Sequence, residues 1–363
     1  MKKTCRAAVL KGVRDMEIQE FPIPKISEDD ALLKVEMVGV CGTDTHMYQG
    51  SGSNVWPLIM GHEFVGTIEE IGAVKAQISG CKKGDRVVVE SRFGCGVCEP
   101  CIRGKYNQCV HKLGYGFMVS CDTPPHLWGA YSEYVYLPKR AILHKISKDV
   151  PLKAAVLTCA VLGDSVRWLG HIGGVSLGDT VVILGAGQQG LGGIVAAKEA
   201  GAKTVIITGR NKDKERFKMA EKLGADHIIN IEKEDEAAAV KRITDGEMAD
   251  IAFDCSGSTA AMAKSTELVK KGGVIVTPGM YGGKKTPIDF DTVVFNEIQI
   301  RGAHTHNLAS VKAAIDIINS RKYPLEELVT HVYGLSQAEL AVQAAGYEIE
   351  GEFPIKVAID PSK

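Results

Sequence analysis

The chain has 363 residues, more than one hydrophobic core usually organises, so about two domains are expected. With 45% hydrophobic and 24% charged residues it is not a disordered, collagenous or membrane-embedded sequence. Lys and Arg number 43 against 44 Asp and Glu, a net charge of −1 that lacks the basic excess a nucleic-acid backbone demands of its partners.

The chain opens with Lys2 and Lys3, but the apolar stretch at 7–10 is too short for the ~7–15-residue core of a signal peptide. It reads as a first strand. The most apolar later window, 180–197, is broken by five glycines, Gln188 and Gln189, so no membrane span of ~20 residues is expected. A cytoplasmic protein follows, in which cysteines stay reduced and clustered ones point to metal or redox chemistry.

Short β-branched runs at 31–40, 64–71, 85–90 and 131–137 predict an all-β, barrel-like unit reaching about residue 155. Within it, Cys41-Gly42-Thr43-Asp44-Thr45-His46 follows one strand and Gly61-His62-Glu63 precedes the next. Taken singly, a Cys or a His is most often a packing or surface residue. Together they offer one thiolate and one imidazole, which a third protein ligand would complete into a catalytic zinc site with an open position. Cys159 is the softest candidate for that ligand; Asp164 and Glu63 are the alternatives.

Cys95, Cys98 and Cys101 at two-residue spacing, with Cys109 eight positions later, place four of the ten cysteines in fifteen residues. Four thiolates saturate a tetrahedral Zn²⁺, so this site is expected to be closed and structural. Unligated cysteines in a loop are the bland alternative. A redox C-x-x-C is disfavoured, because Gly94 and Gly96 make the segment a loop in the β-rich half and not the start of a helix. The following excursion, 111–128, carries Tyr115, Phe117, His126 and Trp128, which either wall a cleft or pack the loop.

From Pro151 the pattern changes. A helical stretch reaches Leu169; strands at 180–184, 204–208, 251–254 and 274–276 then alternate with helices at 190–200, 213–223 and 259–270, and a last strand lies near 298–301. Such alternation predicts a parallel, doubly wound α/β sheet. Its first strand runs into Gly185-Ala186-Gly187-Gln188-Gln189-Gly190 and then a helix. In that setting the glycines allow a tight turn that brings backbone N–H groups and the helix N-terminus onto a dinucleotide pyrophosphate. An acid at the end of the second strand would favour NAD; Gly209-Arg210-Asn211 stands there instead, which favours NADP(H), with Asp213 near enough to substitute. On this reading an Asp placed at 209 shifts preference toward NAD⁺. His304 and His306 either face the nicotinamide or hydrogen-bond between domains.

Cys41-Gly-Thr-Asp44, Gly61-His-Glu63, Gly84-Asp-Arg-Val87, the four-cysteine lobe, Gly129-Ala-Tyr-Ser-Glu-Tyr-Val135 and the dinucleotide turn occur together in one order. In this the whole chain resembles the zinc-dependent medium-chain dehydrogenases, the alcohol, sorbitol and threonine dehydrogenase family. The resemblance implies a GroES-like β-barrel catalytic domain at 1–158 and a Rossmann domain at 159–302, with 303–363 returning to the first. It implies two zincs per subunit, hydride transfer between an alcohol or polyol and NAD(P)(H), and homodimers or homotetramers built through the Rossmann sheets. By position, Cys41 and His62 resemble the catalytic zinc ligands, Glu63 a carboxylate that approaches the metal, and Asp44 a carboxylate behind the ligands. Thr43 resembles the hydroxyl that takes the substrate proton, and His46 the relay to solvent. The stretch from Cys159 to Asp164 fits the family spacing only with a one-residue shift, which puts Ala160 at the ligand position. A zinc-free quinone or enoyl reductase, a non-catalytic dinucleotide-binding protein and a thiol redox sensor are the competing readings.

Overall fold

The computed structural model describes residues 3–52, 55–111 and 113–363, which form two compact units. One holds the chain up to Ala160 together with Ile315–Asn319 and Leu325–Lys363; the other holds Val161–Ala314 and Ser320–Pro324.

The first unit is β-rich. Thr4–Gly12 pairs antiparallel with Asp15–Pro22 and with Leu58–Ile59 in a small sheet. A seven-stranded sheet runs in the order Leu143–Lys145, Arg86–Val89, Glu63–Ile71, Ala31–Gly39, Lys356–Asp360, Val329–Gly334, with Tyr134–Leu137 also pairing Ala31–Gly39. In Ala31–Gly39 only Lys34 is exposed, and Leu33, Val35 and Val38 join a core with Phe64, Tyr115, Leu127 and Tyr131. The late residues are therefore structural to this unit: Lys356–Asp360 inserts antiparallel beside Ala31–Gly39 and parallel to Val329–Gly334. The sheet places Gly39 opposite Glu63, so the residues that follow one strand and begin the next lie side by side.

The second unit is a six-stranded parallel sheet in the order His227–Asn230, Thr204–Gly209, Thr180–Leu184, Ala249–Asp254, Val269–Thr277, Gln299–Gly302. This is the doubly wound order in which the strand sequence reverses beside the first strand, where α/β sheets bind dinucleotides. Three local details differ from the sequence expectation. The strand His227–Asn230 carries too little apolar signal to be read from its four residues. The helix expected at 259–270 ends at Lys264, tightens over Ser265–Glu267, and yields to the strand Val269–Thr277, because Leu268, Ile275 and Val276 are drawn into the sheet core. The helical stretch after Pro151 continues beyond Leu169, widening to π-helical turns at Thr158–Gly163 and Val166–Gly173.

Candidate functional site

Cys41, two residues past the strand Ala31–Gly39 and in extended geometry, caps the helix Gly42–Tyr48, which carries Thr43, Asp44 and His46. Asp44 is fully buried, and its Oδ2 accepts hydrogen bonds from the Cys41 backbone N–H (2.8 Å) and the Tyr131 hydroxyl (3.1 Å). Its Oδ1 faces His62 Nδ1 at 3.5 Å, so Nε2 is the ring nitrogen directed away from that carboxylate. Gly61 bends the chain into His62 at φ +90°, where an added Cβ would strike the Tyr131 ring and backbone; only glycine lets these two segments meet. Donor atoms of Cys41, His62 and Glu63 lie within 4.8 Å of one another. Burial alone would lower the His62 pKa, but Asp44 and Cys41 beside it hold it well above the ordinary histidine value. Thr43 Oγ1 stands 3.7 Å from Cys41 Sγ, and His46 is exposed on the same short helix.

Glu63 is buried and its Oε2 forms an ion pair with Lys356, whose ammonium also donates to the Val40 carbonyl (3.0 Å). Glu63 Oε1 has no hydrogen-bond partner. One thiol, one imidazole and a carboxylate oxygen left unpaired in a buried place form a donor set that fits Zn²⁺. Cys159 does not join this group: its thiol is buried and reaches the Val89 carbonyl at 3.5 Å. Asp164 lies in the second unit, where its carboxylate pairs with His306 Nδ1 at 3.0 Å. The third donor brought to Cys41 and His62 is thus Glu63, which the sequence offered only as an alternative.

Cys95, Cys98, Cys101 and Cys109 converge with their sulfurs within 4.8 Å of one another. Backbone N–H groups of Cys95 and His111 point at Cys109 Sγ (3.2 and 3.3 Å), and that of Cys98 points at Cys95 Sγ (3.3 Å). Cys98 and Cys109 sulfurs are 3.7 Å apart; tetrahedral thiolates at 2.3 Å from one Zn²⁺ stand about 3.8 Å from each other. N–H donors from Cys101 and Val110 pull the Cys98 thiol down to about 6, while desolvation pushes Cys101 up to about 12. The lobe is tied to the barrel by Glu90, which accepts from Tyr106 (2.6 Å) and pairs with His144 (2.9 Å).

The excursion after the lobe packs. Tyr115 and Leu127 are fully buried, Trp128 donates to the Thr123 carbonyl (2.9 Å), and His126 Nδ1 sits 2.8 Å from the Cys121 carbonyl. Phe117 meets the His62 ring edge-on at 5.2 Å and carries the Arg92 guanidinium on its face at 4.8 Å. In this way the loop braces the histidine through ring packing rather than hydrogen bonds.

In the second unit, Thr180–Leu184 runs into Gly185 at φ +106°, and Gly187 caps the helix Gln188–Glu199. Gln188, Gln189 and Gly190 form that helix's first turn, whose backbone N–H groups have no partner further back in the helix. At the end of Thr204–Gly209, Asp213 is buried, with Oδ2 accepting the Arg210 N–H (2.9 Å) and Oδ1 the Arg216 guanidinium (2.7 Å). Both of its oxygens are thus engaged within the turn. Glu232 instead spans the turn, accepting from Arg210 Nε (3.0 Å) and from the Asn211 N–H (2.7 Å). Gly209 is tightly enclosed: a Cβ there would lie 2.7 Å from the Phe217 ring and 3.1 Å from Asp213 Oδ2.

The family model of the alcohol dehydrogenase GroES-like domain matches residues 27–148, and that of the zinc-binding dehydrogenase matches 190–320. A Mycobacterium tuberculosis protein named "Probable alcohol dehydrogenase" is 36% identical, with 98% of each chain covered. The chain belongs to the zinc-dependent medium-chain dehydrogenases. A sorbitol dehydrogenase of Halalkalibacterium halodurans is 31% identical over 96% of this chain and 97% of its own. The solved structure of an alcohol dehydrogenase from Thermotoga maritima superposes with a TM-score of 0.90 at 28% identity, covering 98% of this chain and 99% of that one.

As a member of this family the protein is a zinc-dependent oxidoreductase that moves a hydride between an alcohol or polyol and a nicotinamide dinucleotide. Its fold combines the GroES-like domain with the Rossmann sheet. Among the described residues no helix is long and apolar enough to cross a membrane. Sequence reasoning missed two residues beside these sites. Lys356 was detectable as the one charge inside the apolar run Ile355-Lys-Val-Ala-Ile359, whereas Glu232 lies in an acidic-basic tract, 232–236, where nothing distinguishes it from its neighbours.

Proposed function

We propose that this chain oxidises a small alcohol or polyol with NADP⁺ preferred over NAD⁺, using one catalytic and one structural zinc per subunit. The observation that carries the reading is the convergence of Cys41, His62 and Glu63 beside the Thr43 hydroxyl, in a chain that also gathers Cys95, Cys98, Cys101 and Cys109. Two such groups argue against a zinc-free reductase or a bare dinucleotide binder, neither of which needs them.

Cys41 Sγ, His62 and Glu63 would hold the catalytic ion and the four-cysteine lobe the structural one. The catalytic zinc supplies Lewis acidity that makes an alcohol hydroxyl acidic near neutral pH. Around it the chain's own groups have separable tasks. Asp44 fixes the His62 ring and the Cys41 backbone, so the donors are pre-oriented. Thr43 accepts the substrate proton at Oγ1, and His46, three residues on along the same helix face, hands it to water. Gly185, Gly187 and the first turn at Gln188, Gln189 and Gly190 cradle the pyrophosphate. Gly209 leaves no carboxylate at the end of its strand, and Arg210, more than half exposed, offers a guanidinium to a 2′-phosphate.

The subunits are proposed to assemble as homodimers, or tetramers made of them, through the Rossmann sheet. Gln299–Gly302 is an edge strand, and the preceding helix exposes Phe290, Val294 and Phe295. Residence in the cytoplasm suits two sites that need reduced cysteines.

The test is a panel of primary and secondary alcohols, polyols and hydroxy acids run separately with NAD⁺ and NADP⁺, alongside His62→Ala. Turnover of at least one alcohol or polyol with native zinc content, lost in a folded His62→Ala protein, is expected. Substantial zinc-dependent turnover by that variant would overturn the ligand assignment.

A further inference from the structure

We propose that Glu232 sets the strength of NADP(H) over NAD(H) discrimination, by occupying Arg210 and Asn211 as an internal competitor of the cofactor's 2′-phosphate. The proposal rests on the reading of Arg210 as the 2′-phosphate partner and adds a residue from the neighbouring strand's end.

Glu232 follows the strand His227–Asn230, which lies parallel to and directly beside Thr204–Gly209. Its Oε1 takes both Nε and NH2 of Arg210, at 3.0 and 2.9 Å, a forked contact of the kind a phosphate would otherwise receive. Its Oε2 accepts the Asn211 N–H at 2.7 Å, and these bonds hold its pKa below the usual carboxylate value, so it is ionised at neutral pH. The carboxylate is itself anchored, since its backbone N–H donates to Asn230 Oδ1 (3.1 Å), and Asn230 Nδ2 in turn donates to Asn211 Oδ1 (2.9 Å).

One anion therefore spans the side chain of Arg210 and the backbone of Asn211, the two residues that follow Gly209, where a NAD-specific strand would carry its acid. A 2′-phosphate arriving there meets a guanidinium already bonded to a carboxylate and must displace that carboxylate or share the cation with it; either weakens the gain from Arg210. A ribose 2′-hydroxyl meets no such repulsion and finds in Glu232 a hydrogen-bond acceptor. The arrangement thus tempers a preference that Arg210 alone would make larger. Replacing Glu232 with Gln removes the charge and keeps an acceptor for the Asn211 N–H.

The experiment measures binding of 2′,5′-ADP and 5′-AMP, by calorimetry at fixed low salt, to the wild-type holoenzyme, Glu232→Gln and Arg210→Ala. In Glu232→Gln the ratio of the 5′-AMP to the 2′,5′-ADP dissociation constant is expected to rise about fivefold, and the rise to shrink as salt screens the charges. In Arg210→Ala the ratio is expected to fall. A ratio that falls in Arg210→Ala but does not rise in Glu232→Gln overturns the role of Glu232 and leaves that of Arg210 standing. A ratio that Arg210→Ala does not change removes the Arg210 reading, and the role of Glu232 with it.

Discussion

The ammonium of Lys356 closes on the carboxylate of Glu63, joining the late strand Lys356–Asp360 to the strand Glu63–Ile71 with neither side chain exposed to water. Between them lies Gly39, where a Cβ would press on both charged groups, so the pair fills its space completely. Lys356→Met strands the Glu63 charge in an apolar setting and is expected to cost about 3–5 kcal/mol of stability, measured from the shift of the urea unfolding curve. Adding Glu63→Leu to Lys356→Met should recover most of that loss. A loss of less than about 1 kcal/mol in the single variant would mean that the pair is not buried as described.

Asp44 lies beside the Cys41, His62 and Glu63 group without being part of it. Asp44→Asn keeps the size of the side chain but removes the charge that faces His62 and accepts from Cys41 and Tyr131. Zinc affinity in a chelator competition is expected to fall by about 10–100-fold. Tyr131→Phe deletes one neutral donor and should cost about 1 kcal/mol of stability with a smaller effect on the metal. Equal zinc affinity in wild type and Asp44→Asn would show that His62 is oriented by packing on Phe117 alone.

The four-cysteine lobe separates stability from chemistry. On the proposed reading of two zincs per subunit, Cys98→Ser should lower the zinc content by one ion, and lower the thermal midpoint, because the loop from Gly94 to Val110 has little core of its own: Val97, Ile102 and Val110 are exposed. Turnover per remaining folded molecule should change far less than in His62→Ala. If Cys98→Ser retains both ions, measured by plasma mass spectrometry, the lobe does not hold zinc.

Gly209→Asp is the change that sequence reasoning suggests for converting the enzyme to NAD⁺. The structure alters that expectation. The new side chain would meet the Phe217 ring and stand beside the Asp213 carboxylate, so overpacking and like-charge repulsion add up. A loss of about 1–3 kcal/mol in stability is expected, with weaker binding of both cofactors rather than a clean switch. A stable variant with improved NAD⁺ affinity would refute this.

What was legible in the sequence was whatever short spacing or strict period encodes. The four cysteines are close enough in the chain that one loop brings them together, and the strand, Gly185 turn and helix form a contiguous unit whose geometry follows from local dihedral needs. Cys41 and His62 could be named because one follows a strand and the other precedes the next. The third donor was not legible, because the choice between Glu63, Cys159 and Asp164 depends on where a buried thiol and two carboxylates point. Cys159 turns to the Val89 carbonyl and Asp164 to His306. Nor could spacing reveal the ion pairs of Glu63 with Lys356 or Arg210 with Glu232, since the partners are 293 and 22 positions apart. The end of the helix at Lys264 was likewise hidden, because Lys270 and Lys271 look helical alone while the sheet core claims Leu268 and Val269 on either side of the transition.

The insertion of Lys356–Asp360 beside Ala31–Gly39 also imposes an order on biosynthesis. As the chain leaves the ribosome, all six strands of the parallel sheet emerge before the β-rich unit can close, because the strand that joins Ala31–Gly39 to Val329–Gly334 has not yet been made. Until residue 356 appears, Glu63 lacks its lysine partner, and Val38 and Gly39 lack a neighbour on one side. The carboxylate beside Cys41 and His62 thus waits for a lysine almost 300 positions further along the chain, and stands unpaired while the whole parallel sheet is being made.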